Sequence, residues 1–257
     1  MKITYIHHSG FCVETETTVL LFDYYKGTIP LFDKQKDIYV FSSHKHQDHF
    51  NLEIFELAKI YPEITFILSS DIRMNEAYMD RKNIPESIRP NIYFIGKNET
   101  KTFPVKSSTK DGHPDSCLDD KSSNLLVETL ASTDEGVAFI VTVNGKVIYH
   151  AGDLNWWSWE GETKEEYTDM TDRFQKEILK IKDRHFDVAF LPLDPRQEDR
   201  FWWGFDYFMK STKTALAFPM HFWKDYTIIS KLINMGNADE YSNRIMDIKE
   251  EGQIYEV

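Results

Sequence analysis

The stretch Ser42-Ser43-His44-Lys45-His46-Gln47-Asp48-His49-Phe50 constrains this chain more than any other. It follows Asp37-Ile38-Tyr39-Val40-Phe41, a short apolar run that reads as a buried strand. It precedes residues 51–59, which read as a helix opening on an Asn51 N-cap. Three histidines and a carboxylate therefore leave a strand end and enter a helix start, where one loop can fan them into a single cleft. Imidazole with carboxylate suits divalent metals such as zinc, iron or manganese. The position after a buried strand is also where the sites of α/β proteins sit.

Around this loop the chain alternates strand and helix patterns. A strand around Ile3 and Tyr5 is turned by His7-His8-Ser9-Gly10, and residues 11–15 and 18–23 read as two more strands, a meander at a sheet edge. Residues 64–68 and 91–95 read as strands, with a helix between them capped by Asp71 and running through Met74 and Tyr78. Residues 106–124 are polar and rich in turn formers, a long surface loop that could be a lid or a plain insertion. Strands return at 125–130, 137–143 and 146–150, the last two joined by Asn144-Gly145, the strongest short hairpin signal. Residues 165–182 form an amphipathic helix on Tyr167, Met170, Phe174, Ile178 and Ile181. Strands at 186–192 and 215–219, helices at 202–210 and 226–235 (closed by Gly236) and a last strand at 253–257 complete the pattern. The patterns alone give α/β or α+β.

Two further pieces follow strand ends: Gly152-Asp153, and His221 after Phe218-Pro219-Met220. With the H-x-H-x-D-H loop they make nearly the whole chain resemble the metallo-β-lactamase-fold superfamily of metal-dependent hydrolases, its lactonase-like and phosphodiesterase-like cytosolic branch above all. The resemblance implies one domain over residues 1–257, an α/β four-layer αββα sandwich of two mixed sheets with the metal cleft at one edge. It assigns His44 and His46 to one metal and Asp48, His49 and His221 to a second, with Asp153 shared. It implies one or two divalent ions per chain, zinc or else manganese or iron, holding a hydroxide nucleophile whose proton Asp48 could accept or orient.

The chain departs from that pattern at one place. The family's further histidine, expected near the start of the strand 137–143, is absent, and Ser132 takes its register. A neutral hydroxyl is a poor zinc ligand. Asp134 could replace it, and His113 and His150 are weaker candidates; His150 could instead orient Asp153. The related hydrolases often carry a histidine near the first turn, so His8 either faces the site or is a turn histidine satisfied by backbone. Arg196 and Lys224 could hold an anionic group of the substrate or be solvated surface charges. The tryptophans, all in loops after strand ends, could wall a pocket.

The expected function is metal-dependent hydrolysis of a small ester, lactone, amide or phosphodiester, with an anionic substrate as one option. The alternative is a binding or sensing protein on a degenerate metal site. The net charge of −12 argues against nucleic acid and anionic membrane as partners, and so against a nuclease. Electron-transfer diiron members carry a Glu within the first motif, whereas the pattern here is His44-x-His46-x-Asp48-His49. Two cysteines, no leader pattern and no apolar span point to a cytoplasmic protein, and a homo-oligomer stays open.

Overall fold

In the computed structural model, residues 1–105 and 124–257 are described. The polar segment that follows Val105, with His113 in it, lies outside the described residues.

Period-two patterning organises the first half. Strands β1 (Lys2–His7), β2 (Gly10–Glu14), β3 (Thr18–Phe22) and β4 (Asp37–Ser42) are apolar on both faces. Ile3, Tyr5, Phe11, Val13, Leu20, Phe22, Tyr39 and Phe41 belong to one core cluster, and the intervening Ile6, Cys12, Val19, Leu21, Ile38 and Val40 to another. A strand buried on both faces must lie between two layers. β5 (Thr65–Ser69), β6 (Ile92–Ile95) and the C-terminal β13 (Ile254–Glu256) complete a sheet in the order β13-β1-β2-β3-β4-β5-β6. The second sheet holds β7 (Thr100–Pro104), β8 (Asn124–Ala131), β9 (Val137–Val143), β10 (Lys146–His150), β11 (His185–Pro192) and β12 (Lys213–Met220), in the order β12-β11-β10-β9-β8-β7. Their facing sides share the larger core cluster.

Helices cover the outer faces. α1 (Glu76–Arg81) buries Met79 in the cluster outside the first sheet. α2 (Lys164–Leu179), α3 (Trp203–Ser211) and α4 (Thr227–Ile233) bury Phe174, Phe205, Phe208 and Ile229 outside the second. The result is the expected αββα sandwich. α2 starts on a capping box in which Thr163 and Glu166 satisfy each other's backbone N–H, a device worth about 1 kcal/mol. Asn144 and Gly145 turn the β9–β10 hairpin with φ of 50° and 71°, as the sequence predicts.

Four expectations change. Leu52–Lys59 winds as a 3₁₀ helix, which covers more length per residue than an α-helix, although Asn51 caps it as expected. α1 begins after Asn75, whose side chain accepts from Tyr78 N; Asp71 accepts from Lys45 N instead and so braces the metal-loop segment. β1 is not at an edge, because β13 pairs antiparallel with it. β7, whose burial pattern is mostly exposed, carried too weak an apolar signal to be read from the sequence. No described helix is long and apolar enough to cross a membrane.

Direction in the sheets places the site. β3, β4, β5 and β6 run parallel, as do β10, β11 and β12. β1 runs with β3, since both are antiparallel to β2. The segments after β1, β3, β4, β10, β11 and β12 therefore emerge at one end, where open α/β sheets bind ligands. Backbone bonds from Val137 N to Ser43 O and from His221 N to His8 O join the two sheets there.

Candidate metal centre

The loop after β4 turns back on itself through bonds from His49 N and Phe50 N to His46 O. This folds His44 and His49 inward, where both are fully buried, and leaves His46 and Asp48 nearer the opening. Two glycines let other segments close on it. A Cβ on Gly136 would fall 2.0 Å from Ser43 O, and one on Gly152 would fall 2.6 Å from Ser43 Cβ. Gly152 also sits at a φ of +51°, a region that favours glycine.

The donor atoms of His8, Asp48, His49 and His221 lie within 4.8 Å of one another, and so do those of His44, His46 and Asp153. Asp153 faces both groups with separate oxygens. Its Oδ1 is 3.2 Å from His49 Nε2 and 3.5 Å from His221 Nε2, and its Oδ2 is 3.4 Å from His44 Nε2. Ligands bound tetrahedrally at about 2.0–2.1 Å sit roughly 3.3 Å from one another, so these separations fit metal ligation. The buried Nε2 atoms of His8, His44 and His49 and Asp153 Oδ1 have no hydrogen-bond partner. Buried polar atoms are nearly always satisfied. These four unbonded atoms, spread over the two donor groups, are all of the kind that ligate metal, and divalent cations would satisfy them.

The opposite nitrogens are anchored. His49 Nδ1 lies 2.7 Å from Asp23 Oδ2, and His221 Nδ1 lies 2.9 Å from Asp194 Oδ2. Both carboxylates are fully buried. A carboxylate that accepts from one ring nitrogen fixes the tautomer and turns the other toward a metal. Asp23 is itself held by Ser43 N and Ser43 Oγ, and His44 Nδ1 is 3.0 Å from the same hydroxyl. The sequence reading missed both carboxylates. Their only signal was position, since each follows the end of a strand.

Charge follows geometry. Burial pushes His8 and His44 down to about 4. Burial also opposes charge at His49, but the Asp153 and Asp23 carboxylates outweigh it and hold His49 well above its ordinary value. Asp153 is held well below the ordinary carboxylate range, because His49 and His221 outweigh its burial. His8 and His221 both adopt left-handed backbone, with φ of 55° and 64°. Such strain in non-glycine residues concentrates at functional sites.

Each of the other expected residues has a definite place. His8 faces the site, its Nε2 3.2 Å from Asp48 Oδ2. His150 is turned away: Nε2 bonds Ser9 O, Nδ1 accepts from Gly152 N, and the ring stacks on Phe22. It therefore fixes the turn that presents Asp153. Ser132 Oγ accepts from Asp134 N and closes the β8–β9 turn. Asp134 Oδ2 stands 3.8 Å from His46 Nδ1, about half exposed and outside the tight donor group. Burial and the neighbouring Asp153 raise its carboxyl. Arg196 borders the cavity, whereas Lys224 pairs with Glu251 at 3.0 Å and does not. Trp157, Trp159 and Trp223 line the cavity, while Trp156 and Trp202 pack against the core and Trp203 packs on Trp156 and Tyr167.

The cavity above the donors measures about 390 Å³. A depression of about 340 Å³ bordered by Lys34, Lys36 and Tyr61 has no such donor cluster among the described residues.

A family model described as the beta-lactamase superfamily domain matches residues 2–170. A metallo hydrolase, Igni18, from the archaeon Ignicoccus hospitalis is similar at 20% identity over 100% of this chain and 98% of its own, with a TM-score of 0.56. The short form of human tRNase Z is similar at 14% identity over 100% and 99%, with a TM-score of 0.52. The diiron β-hydroxylase CmlA of Streptomyces venezuelae is similar at 11% identity over 86% of this chain and 44% of its own, with a TM-score of 0.50. At such identities the likeness establishes the fold.

Proposed function

The chain belongs to the family described as the beta-lactamase superfamily domain, and from that premise we propose that it is a metal-dependent hydrolase of a small ester, lactone or phosphodiester. The observation that carries this reading is Asp153, whose two oxygens each face a separate group of histidines with orphaned, buried nitrogens. His8, Asp48, His49 and His221 would hold one divalent ion and His44 and His46 a second, with Asp153 between them. Zinc fits the histidine-rich group best, and manganese or iron suits a weaker partner site. Bound there, the metal supplies the Lewis acidity that polarises an acyl or phosphoryl oxygen and makes water a nucleophile at neutral pH.

The chain's own residues do the rest. Asp48 reaches the cavity with its side chain 25% exposed and lies against His8, so it is the carboxylate positioned to take a proton from attacking water. Asp23 and Asp194 keep His49 and His221 in one tautomer throughout. The indoles of Trp157, Trp159 and Trp223 exclude water from one side. A cavity of about 390 Å³ is near the small end of ligand sites, which favours a small substrate over a polynucleotide, as does the net charge of −12. Structural relatives include a hydrolase, a tRNase and a hydroxylase, so the fold by itself does not choose the reaction.

Ser132 favours a second reading, in which the group with three donors holds metal weakly and the protein binds a ligand without turning it over. Elemental analysis beside Asp153→Ala and Asp134→Ala variants, with a panel of esters, lactones and phosphodiesters, separates the two. Bound metal that falls with Asp153→Ala, together with turnover, supports the hydrolase. Metal without turnover supports the second reading. A protein that neither carries nor takes up metal overturns both.

A further inference from the structure

One wall of the cavity plays no part in holding metal. Trp157 and Trp159 lie parallel at 2°, their centroids 5.9 Å apart. The Arg196 guanidinium sits 5.9 Å from the Trp159 ring and 4.9 Å from the Trp223 ring. Trp223 packs in turn on His8 at 4.3 Å. Trp159 and Trp223 nevertheless remain 39% and 46% exposed. Indoles contribute most when covered, so two half-open rings flanking a guanidinium inside a cavity leave π-faces available to a ligand.

The wall is fixed before any ligand arrives. Arg196 Nε lies 3.0 Å from each oxygen of the buried Asp194, and its Nη2 and backbone N also donate to that carboxylate. Asp194 is the same group that orients His221. Arg196 Nη1 makes no hydrogen bond among the described residues. Trp157 Nε1 donates to Asp153 O at 3.0 Å. The two loops that carry the wall are tied by Asn155 Nδ2 to Gln197 Oε1 at 2.9 Å and by Gln197 Nε2 to Trp156 O at 2.8 Å. Gly204 permits this, because a Cβ there would fall 1.9 Å from Asn155 Oδ1. A preformed wall avoids the ordering cost of binding. Arg196 is also the one Lys or Arg side chain among the described residues that border the cavity.

We propose that Trp159, Arg196 and Trp223 form a substrate-recognition subsite for an anionic, ring-bearing small molecule, its flat body stacked on the indoles and its carboxylate or phosphate bound by Arg196 Nη1. This rests on the reading of the cavity as the substrate site. It makes Arg196 a specificity-determining residue and ties substrate placement to the metal ligand His221 through Asp194.

The test is titration of intrinsic tryptophan fluorescence with benzoate (ring and charge), acetate (charge alone) and benzyl alcohol (ring alone). It is run on metal-loaded and chelated protein, with metal content and melting recorded for each variant. Benzoate is expected to bind wild type about tenfold more tightly than either fragment, with or without metal. Arg196→Met should weaken benzoate by about tenfold or more and leave benzyl alcohol unchanged. Trp223→Ala should weaken both ring compounds. Equal binding of benzoate and acetate, indifference of benzoate to Arg196→Met, or loss of benzoate binding on chelation would each overturn the subsite; the last outcome would put the anion on the metal. None of these readings needs turnover, so failure here leaves the hydrolase reading intact. A protein without hydrolase activity can still show the Arg196-dependent preference.

Discussion

Replacing Asp23 by Asn tests how the centre is tuned with little change of shape. Asp23 accepts from Ser43 N at 2.7 Å and Ser43 Oγ at 2.6 Å, and its Oδ2 is 2.7 Å from His49 Nδ1. Its backbone is left-handed, with φ 42°, a conformation Asn tolerates as well as Asp does, so the backbone need not move. The amide keeps one oxygen for Ser43 N and presents an NH₂ group to His49. His49 Nδ1 must then accept rather than donate, and the ring proton moves to Nε2. That atom faces Asp153 and is the one a metal needs. Loss of such an orienting partner lowers metal affinity by about 10–100-fold, or roughly 1.4–2.7 kcal/mol. The competing cost to folding is an unfavourable amide contact with Ser43 Oγ, about 1–3 kcal/mol for a poorly satisfied buried group. Competition against a chromophoric chelator reads the first quantity and urea unfolding in chelator reads the second. Wild-type metal affinity in Asp23→Asn protein would refute the tautomer argument, whatever the stability change. Asp23→Ala should cost more on both counts, since it also strands Ser43 N.

Acid should destabilise the metal-free protein between about pH 6.5 and 4. His8 and His44 stay neutral in the fold down to about 4, whereas the unfolded chain takes up protons from about 6.5. The stability these groups give is thus present above about pH 6.5 and lost as the pH falls, and His44→Gln should flatten the slope of melting temperature against pH; an unchanged slope would count against the burial argument. Gly136→Ala should lose about 2–4 kcal/mol by denaturant unfolding, since its Cβ would meet Ser43 O at 2.0 Å on left-handed backbone. Gly145→Ala, also left-handed but with nothing within 4 Å, should lose only about 1 kcal/mol, so equal losses would show that the close approach to Ser43 is not tight. Lys224→Ala should leave benzoate affinity within about twofold of wild type, because the side chain is paired with Glu251 away from the cavity; a loss like that of Arg196→Met would return Lys224 to the site.

Some of this was fixed locally and so could be read from residues in a row. The 44–49 loop, Gly152-Asp153 and His221 each follow a strand end, and strand ends are visible as apolar runs broken by polar residues. The β9–β10 hairpin was legible in Asn144-Gly145 because that turn depends on two adjacent residues with positive φ. The strand and helix patterns alone gave only α/β or α+β, and the four-layer sandwich came with the family resemblance. Tertiary structure decided what depends on partners distant in sequence. Asp23 and Asp194 lie 26 and 27 residues from the histidines they hold, and nothing local to either marks that role. His8 was ambiguous as a turn residue until the two sheets packed and brought it beside Asp48 and His221. Arg196 and Lys224 looked alike in sequence, as cations beside aromatics. One is held at the cavity by Asp194 and the other is drawn off by Glu251 on the C-terminal segment. A sequence records which charges exist, but which opposite charge each one meets is set by sheet order and packing.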